Sequence, residues 1–125
     1  MRVPILKQGA YLIASVQSAL SDKDLLLLRD DLSAQVEKHR ARGVVVDVTA
    51  LDVIDSFATR MLRTVAEMVR LRGAATVIVG IQPEVALAMV QLGLYLGEVS
   101  TALDLEEGLA LLDLRTRRGG QRGAG

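Results

Sequence analysis

The run Val44-Val45-Val46-Asp47-Val48 limits the fold of this 125-residue chain more than any other segment. It is β-branched without polar alternation until Asp47, the pattern of a strand covered on both faces. Segments with helical periodicity stand on either side. Before it, Leu25, Leu28, Leu32 and Val36 recur on one helical face, and after it a stretch from about Ser56 to Leu71 carries Phe57, Met61, Val65, Met68 and Val69 as its expected inward set. Helix, doubly buried strand, helix is the signature of a parallel sheet built by right-handed crossovers, so this strand is expected at the centre.

The rest of the chain fits that frame. Val3–Leu6 and Tyr11–Val16 are short apolar runs joined at Gln8-Gly9, expected as an antiparallel hairpin, with Pro4 marking an edge because it donates no ladder hydrogen bond. Ser21 with Asp24 three residues later forms a capping box opening the first helix, and Gly43 is its expected stop. Gly73 is expected to end the second helix, and Thr76–Val79 is another buried strand. A third helix is expected from Pro83 to near Gly93, then a short strand at Val99. Asp104 and Glu107 suggest a capping box for a last helix anchored by Leu105, Leu109 and Leu112. The fold class is therefore α/β, a sandwich with a mixed, mostly parallel sheet, an N-terminal antiparallel hairpin and about four helices. One domain is expected over residues 1–114, followed by a disordered Arg/Gly-rich tail over 115–125.

Composition removes several function classes. The formal charge is zero, so no global basic field attracts nucleic acid or an anionic membrane. Arg115, Arg117, Arg118 and Arg122 read as a solvated terminus rather than a phosphate-binding arm. With no cysteine, disulfides, thiol catalysis and thiolate metal sites are absent together, which suits a reducing cytosol. Three aromatic residues give no base-stacking platform. The apolar Tyr11–Val16 run is too soon interrupted for a secretion signal, and the Val85–Leu96 run is shorter than the roughly 20 residues of a membrane-spanning helix. A cytoplasmic protein without cofactor is expected.

No phosphate-cradling glycine loop and no nucleophile elbow occurs, and His39, the sole histidine, sits among Lys38, Arg40 and Arg42 in a polar helix end. No catalytic residue or metal ligand is expected, and the protein is read as a non-enzyme. Asp47, Asp52 and Asp55 cluster near strand ends, where open α/β sheets bind ligands. Asp55 reads as a helix cap and Asp52 as a turn residue, Asp47 stays open, and a small-ligand or cation-binding domain remains the alternative from a different class. Ser56, Arg60, Arg63 and Glu67 share one polar helical face, so a hydroxyl at a helix start is expected to be exposed beside basic side chains. A phosphate on Ser56 would meet the positive end of the helix dipole and Arg60, opposed by Asp52 and Asp55. Thr59 is a weaker acceptor expected on the flank of that face. Leu25 to Leu28 cannot all point inward from one helix, which points to self-association.

Val44-Val45-Val46-Asp47-Val48-Thr49, Val53-Ile54-Asp55-Ser56 and Gly73-Ala74 together resemble the STAS domain of anti-sigma-factor antagonists, over about residues 3 to 113. Gly80-Ile81-Gln82-Pro83-Glu84-Val85-Ala86, Leu92-Gly93 and Thr101-Ala102-Leu103-Asp104-Leu105 make the chain similar to the RsbS-type branch, the small scaffold of the bacterial stressosome. The resemblance implies that Ser56 is phosphorylated by an RsbT-type switch serine kinase. It also implies assembly with RsbR-type sensor paralogues, sequestration of the kinase until Ser56 is modified, and resetting by an RsbX-type phosphatase. Phe57 and Ala58 depart from the small-hydroxyl-glycine continuation of stand-alone antagonists, which bind an anti-sigma kinase and remain the alternative within the family. Against the sensor-type paralogues, the resemblance leads to the expectation of a chain that opens at the hairpin without their extra N-terminal domain, and Ala88 stands where they carry a second threonine site.

Overall fold

The computed structural model describes residues 2–18 and 20–124, with side chains described to Thr116. Strands β1 (Ile5–Gln8) and β2 (Tyr11–Ser15) form the expected antiparallel hairpin. After them come α1 (Asp22–His39), β3 (Gly43–Asp47), α2 (Ser56–Leu71), β4 (Ala75–Val79), α3 (Pro83–Gln91), β5 (Ser100–Ala102) and α4 (Leu105–Ala124). The sheet order is β1-β2-β3-β4-β5, and every pair after the hairpin is parallel. The Val44–Val48 strand is the centre of the sheet, as its composition requires.

Register divides the sheet residues between two cores. Ile13, Val45 and Val77 align across three strands and pack with Leu112 of α4 on one face. Ala14, Val46 and Ile78 align on the other and pack beneath α1, α2 and α3. Thus three crossover helices cover one face, and α4 folds back across the other.

The capping box of α1 forms in both directions, Asp24 N–H donating to Ser21 Oγ at 3.1 Å and Ser21 N–H to Asp24 Oδ2 at 3.2 Å. Its stop differs from expectation. The left-handed residue is Arg40 (φ 48°), and Ala41 N–H closes on Val36 O at 3.1 Å. Gly43 instead starts β3, where a Cβ would lie 3.0 Å from Leu112 Cδ1 and 3.1 Å from Tyr11 Cδ1. The glycine serves close helix–sheet approach rather than helix termination.

A further expectation is corrected. The buried residues of α2 are Thr59, Leu62, Val65 and Val69, while Phe57, Met61 and Met68 are half-buried on its flank. The helix is rotated relative to the apolar set read from the sequence. At the C-terminus, α4 spans Leu105–Ala124. The Tyr11 hydroxyl bonds Asp113 and, at 3.1 Å, Thr116 Oγ1, securing the turn beyond Leu112. The expected basic side chains Arg117, Arg118 and Arg122 lie outside the described residues. The expected surface leucines of α1 are Leu26 and Leu27, both half-buried.

Candidate functional site

The segment carrying Ser56 is held at its root by short polar contacts. Asp47, the last residue of β3, accepts hydrogen bonds on Oδ1 from Thr49 N–H at 2.9 Å and Thr49 Oγ1 at 2.6 Å. This settles the open reading of Asp47: its carboxylate makes a turn. Gln82 Nε2 donates to Thr49 O at 2.8 Å, joining the same turn to the start of α3. Gly80, with φ +80°, passes so close that a Cβ there would lie 1.9 Å from Thr49 Oγ1.

From this anchor the chain alternates inward and outward. Leu51 and Ile54 are buried, whereas Asp52, Val53, Asp55 and Ser56 are exposed. Asp55 is the N-cap of α2, its Oδ1 accepting from Ala58 N–H at 2.8 Å. Ser56 is the first helical residue and presents its hydroxyl to solvent. The helix start leaves early backbone N–H groups without intrahelical partners, and the dipole adds a positive end.

Ser56 also lines a groove of about 440 Å³. One wall is residues 52 to 56, and the other is Val85, Ala88, Leu92 and Leu94 from α3 and its exit. Val53 and Leu92 are 69% and 72% exposed, unusual for apolar side chains facing one groove. Sequence reasoning named Ser56 and noted Ala88 but did not bring them together. The available signal was the spacing of Val85, Ala88 and Leu92 at three and four residues, one helical face.

The basic neighbours separate. Arg60 lies over the Phe57 ring, 6.0 Å from its centroid. Arg63 turns away, Nη1 donating to Tyr95 O at 2.9 Å, so its place beside Ser56 is corrected: it braces the loop before β5. Thr59 is also corrected. It is 2% exposed, and its Oγ1 donates to Asp55 O at 2.8 Å. That bond allows a polar side chain to face the core, and it removes the exposure an acceptor on this flank requires. Among the described residues no group of three or more His, Cys, Asp or Glu side chains is arranged to hold a metal. The aspartates are committed separately, Asp47 to its turn and Asp55 to its cap.

Residues 3–107 match the model of the STAS domain. The chain belongs to the STAS domain family. Among solved structures it is similar to the RsbS of Moorella thermoacetica carrying a serine-to-glutamate substitution, with a TM-score of 0.80 and 33% identity over 92% of this chain and 97% of that one. It is also similar to a chain from the molecular architecture of the stressosome, described as a signal integration and transduction hub, with a TM-score of 0.74 and 31% identity over 91% and 99% of the two chains. A curated relative is the RsbT co-antagonist protein RsbRA of Bacillus subtilis (strain 168), 35% identical over 82 residues, which are 66% of this chain and 30% of the relative. The chain spans about a third of the length of the first curated relatives it matches. The STAS fold and the RsbS-type resemblance therefore hold. Among the described residues, no helix is long and apolar enough to cross a membrane.

Proposed function

We propose that this STAS protein is a non-catalytic, phospho-regulated scaffold of stressosome type. It holds a serine/threonine switch kinase of the RsbT class against the groove beside Ser56 and releases it when Ser56 is phosphorylated. It assembles with further copies of itself and with RsbR-type sensor paralogues, and an RsbX-type phosphatase restores the free serine. The observation that carries this reading is the placing of an exposed serine hydroxyl at the first position of α2 and on the rim of a mainly apolar groove. The similarity to RsbS, and to a relative whose name makes it a co-antagonist of RsbT, supports the kinase class.

The switch follows from charge. A phosphate adds roughly 1.5 to 2 negative charges at pH 7. At the start of α2 the helix dipole tolerates it, so the fold persists. At the groove it joins Asp52 and Asp55, and a partner covering Val53 and Leu92 would have to desolvate the new dianion. Binding is lost where folding is not. Phosphorylation by the cognate kinase and ATP, followed by peptide mapping, is expected to place the phosphate on Ser56 alone. In calorimetric titration, Ser56→Asp is expected to weaken kinase binding roughly 5- to 150-fold while changing stability by less than about 1 kcal/mol. Ser56→Ala should retain the kinase under phosphorylating conditions. Equal affinity of both variants for the kinase would refute the switch.

A further inference from the structure

Strands β2 to β5 run parallel, so all four helices begin at one end of the sheet, beyond the C-terminal ends of the strands. Helices α1 and α2 finish at the opposite end. The formal charge of zero therefore hides a separation of signs. The first end carries Asp22 and Asp24 in the first turn of α1, Asp52 and Asp55 before α2, and Glu84 in the first turn of α3. Asp104, Glu106 and Glu107 open α4 there, and Asp47 is engaged in its turn by Thr49. Against these stand Lys23, Arg60 over the Phe57 ring, and Arg2, which pairs with Asp31 at 3.6 Å.

The opposite end carries Lys38, Arg40 and Arg42 at and just beyond the end of α1, Arg70 and Arg72 at the end of α2, and Arg115, all exposed. Lys7 stands near the hairpin turn. The carboxylates at this end already have partners of their own. Glu37 pairs with Arg72 at 3.4 Å, Glu67 with Arg70 at 2.8 Å, Asp113 accepts from the Tyr11 hydroxyl, and the negative field of Glu98 falls on Arg70. Lys38, Arg40 and Arg42 are in no ion pair among the described residues, nor are Glu106 and Glu107.

Helix dipoles account for acids at helix starts and bases at helix ends. They do not account for two leucines. Leu103 at the acidic end and Leu71 at the basic end are 82% and 80% exposed, the most exposed large apolar side chains among the described residues. Leu103 is followed by Asp104, Glu106 and Glu107, and Leu71 stands between Arg70 and Arg72. The Arg72–Glu37 pair joins the ends of α1 and α2, which brings Lys38 and Arg40 to the same end as Leu71.

We propose that copies of this chain meet head to tail, the acidic end of one against the basic end of the next. Leu103 is covered by Leu71 of the neighbouring copy, and Glu106 and Glu107 face its Lys38 and Arg40. Like ends repel, and a partner of one sign would match only one of the two ends, whereas a second copy supplies both signs. The contact is heterologous, so it leaves an unlike end free on each side and propagates. One leucine from each copy is far less than the roughly 1,600 Å² of a stable interface, so the contact is weak and sensitive to salt. It gives a surface to the self-assembly in the proposed function and is independent of the kinase reading.

Sedimentation velocity on the full chain over a range of concentrations tests this. At about 10 mM salt a concentration-dependent series of oligomers is expected, weakening at least about tenfold at about 0.5 M salt, where screening shortens to a few Å. Two reversed variants, Glu106→Lys with Glu107→Lys and Lys38→Glu with Arg40→Glu, should each keep the circular dichroism of the wild type and each fail to associate. Mixed in equal amounts they should associate again, because each still offers the end that the other needs. Leu103→Ser, which changes no charge, should weaken association about tenfold and supplies the test if a reversed variant does not fold. Monomer under all conditions, association indifferent to salt or to Leu103→Ser, or no recovery in the mixture would overturn the contact. A dimer persisting in both reversed variants would overturn it too, while leaving the self-assembly of the proposed function in place.

Discussion

Replacing Gly80 with alanine tests how the Ser56 segment is held in place. Gly80 sits at φ +80°, and an added Cβ would lie 1.9 Å from Thr49 Oγ1 and 3.0 Å from Thr49 Cβ. Two costs follow. Holding an L-residue in the left-handed region costs roughly 1–2 kcal/mol. The Thr49 hydroxyl must also leave, breaking its 2.6 Å bond to Asp47 Oδ1; because the pair is exposed and water replaces part of the bond, this adds about 1 kcal/mol. Gly80→Ala is therefore expected to lose about 2–3 kcal/mol in urea unfolding followed by circular dichroism. Thr49→Ala alone should lose about 1 kcal/mol, the hydroxyl bond only. Once Thr49 lacks its hydroxyl, the closest clash is gone, so the double variant should lose less than the sum by at least about 0.5 kcal/mol. Relief is incomplete because Thr49 Cα also lies 3.1 Å from the added Cβ. Strictly additive losses, or a neutral Gly80→Ala, would refute the claim that contact between these two residues sets the loop.

Asp55→Ala removes the side-chain cap of α2 and is expected to lose about 1 kcal/mol in the same assay, with faster amide exchange at Ala58. A loss confined to less than a few tenths of a kcal/mol would mean that water replaces the cap. Tyr11 supplies a pH test. Burial, then its hydrogen bond to Asp113, raises its pKa above the usual value for tyrosine, which means that the protonated phenol is favoured in the folded state. The resulting stability is complete below the unfolded pKa near 10 and is lost as pH rises through the higher folded value. Thermal midpoints measured from pH 9 upward should fall more steeply for the wild type than for Tyr11→Phe, and parallel curves would refute this role.

Much of the architecture is legible in local pattern because it rests on local physics. The Ser21 and Asp24 box works within one turn, and Asp55 caps the helix it immediately precedes, so both can be read from spacing. The Val44–Val48 run has no polar alternation to offer solvent, which fixes its central place before any partner strand is known. The exposed hydroxyl at Ser56 follows from the polar face it shares with Arg60 and Glu67, all three exposed, a spacing that can be read within one helix.

Where two readings were locally equivalent, only tertiary packing chose. Helix α2 carries two apolar sets, and the sheet selected Leu62, Val65 and Val69 with Thr59, since the Asp55 carbonyl satisfies the threonine hydroxyl inside the core. Phe57 and Met61 were displaced to the flank. Arg63 shared a helical face with Ser56, yet a carbonyl 32 residues away in sequence, on Tyr95, drew its guanidinium elsewhere. Gly43 resembled a helix stop until Leu112 and Tyr11 were seen against it. The sequence by itself therefore determined the strands, the caps and the position of the Ser56 hydroxyl, all set by spacings of a few residues. Helix rotation, the partners of the arginines and the Ser56 groove depended on atoms distant in the chain, because burial and hydrogen bonding act through space, and no spacing along one element records them.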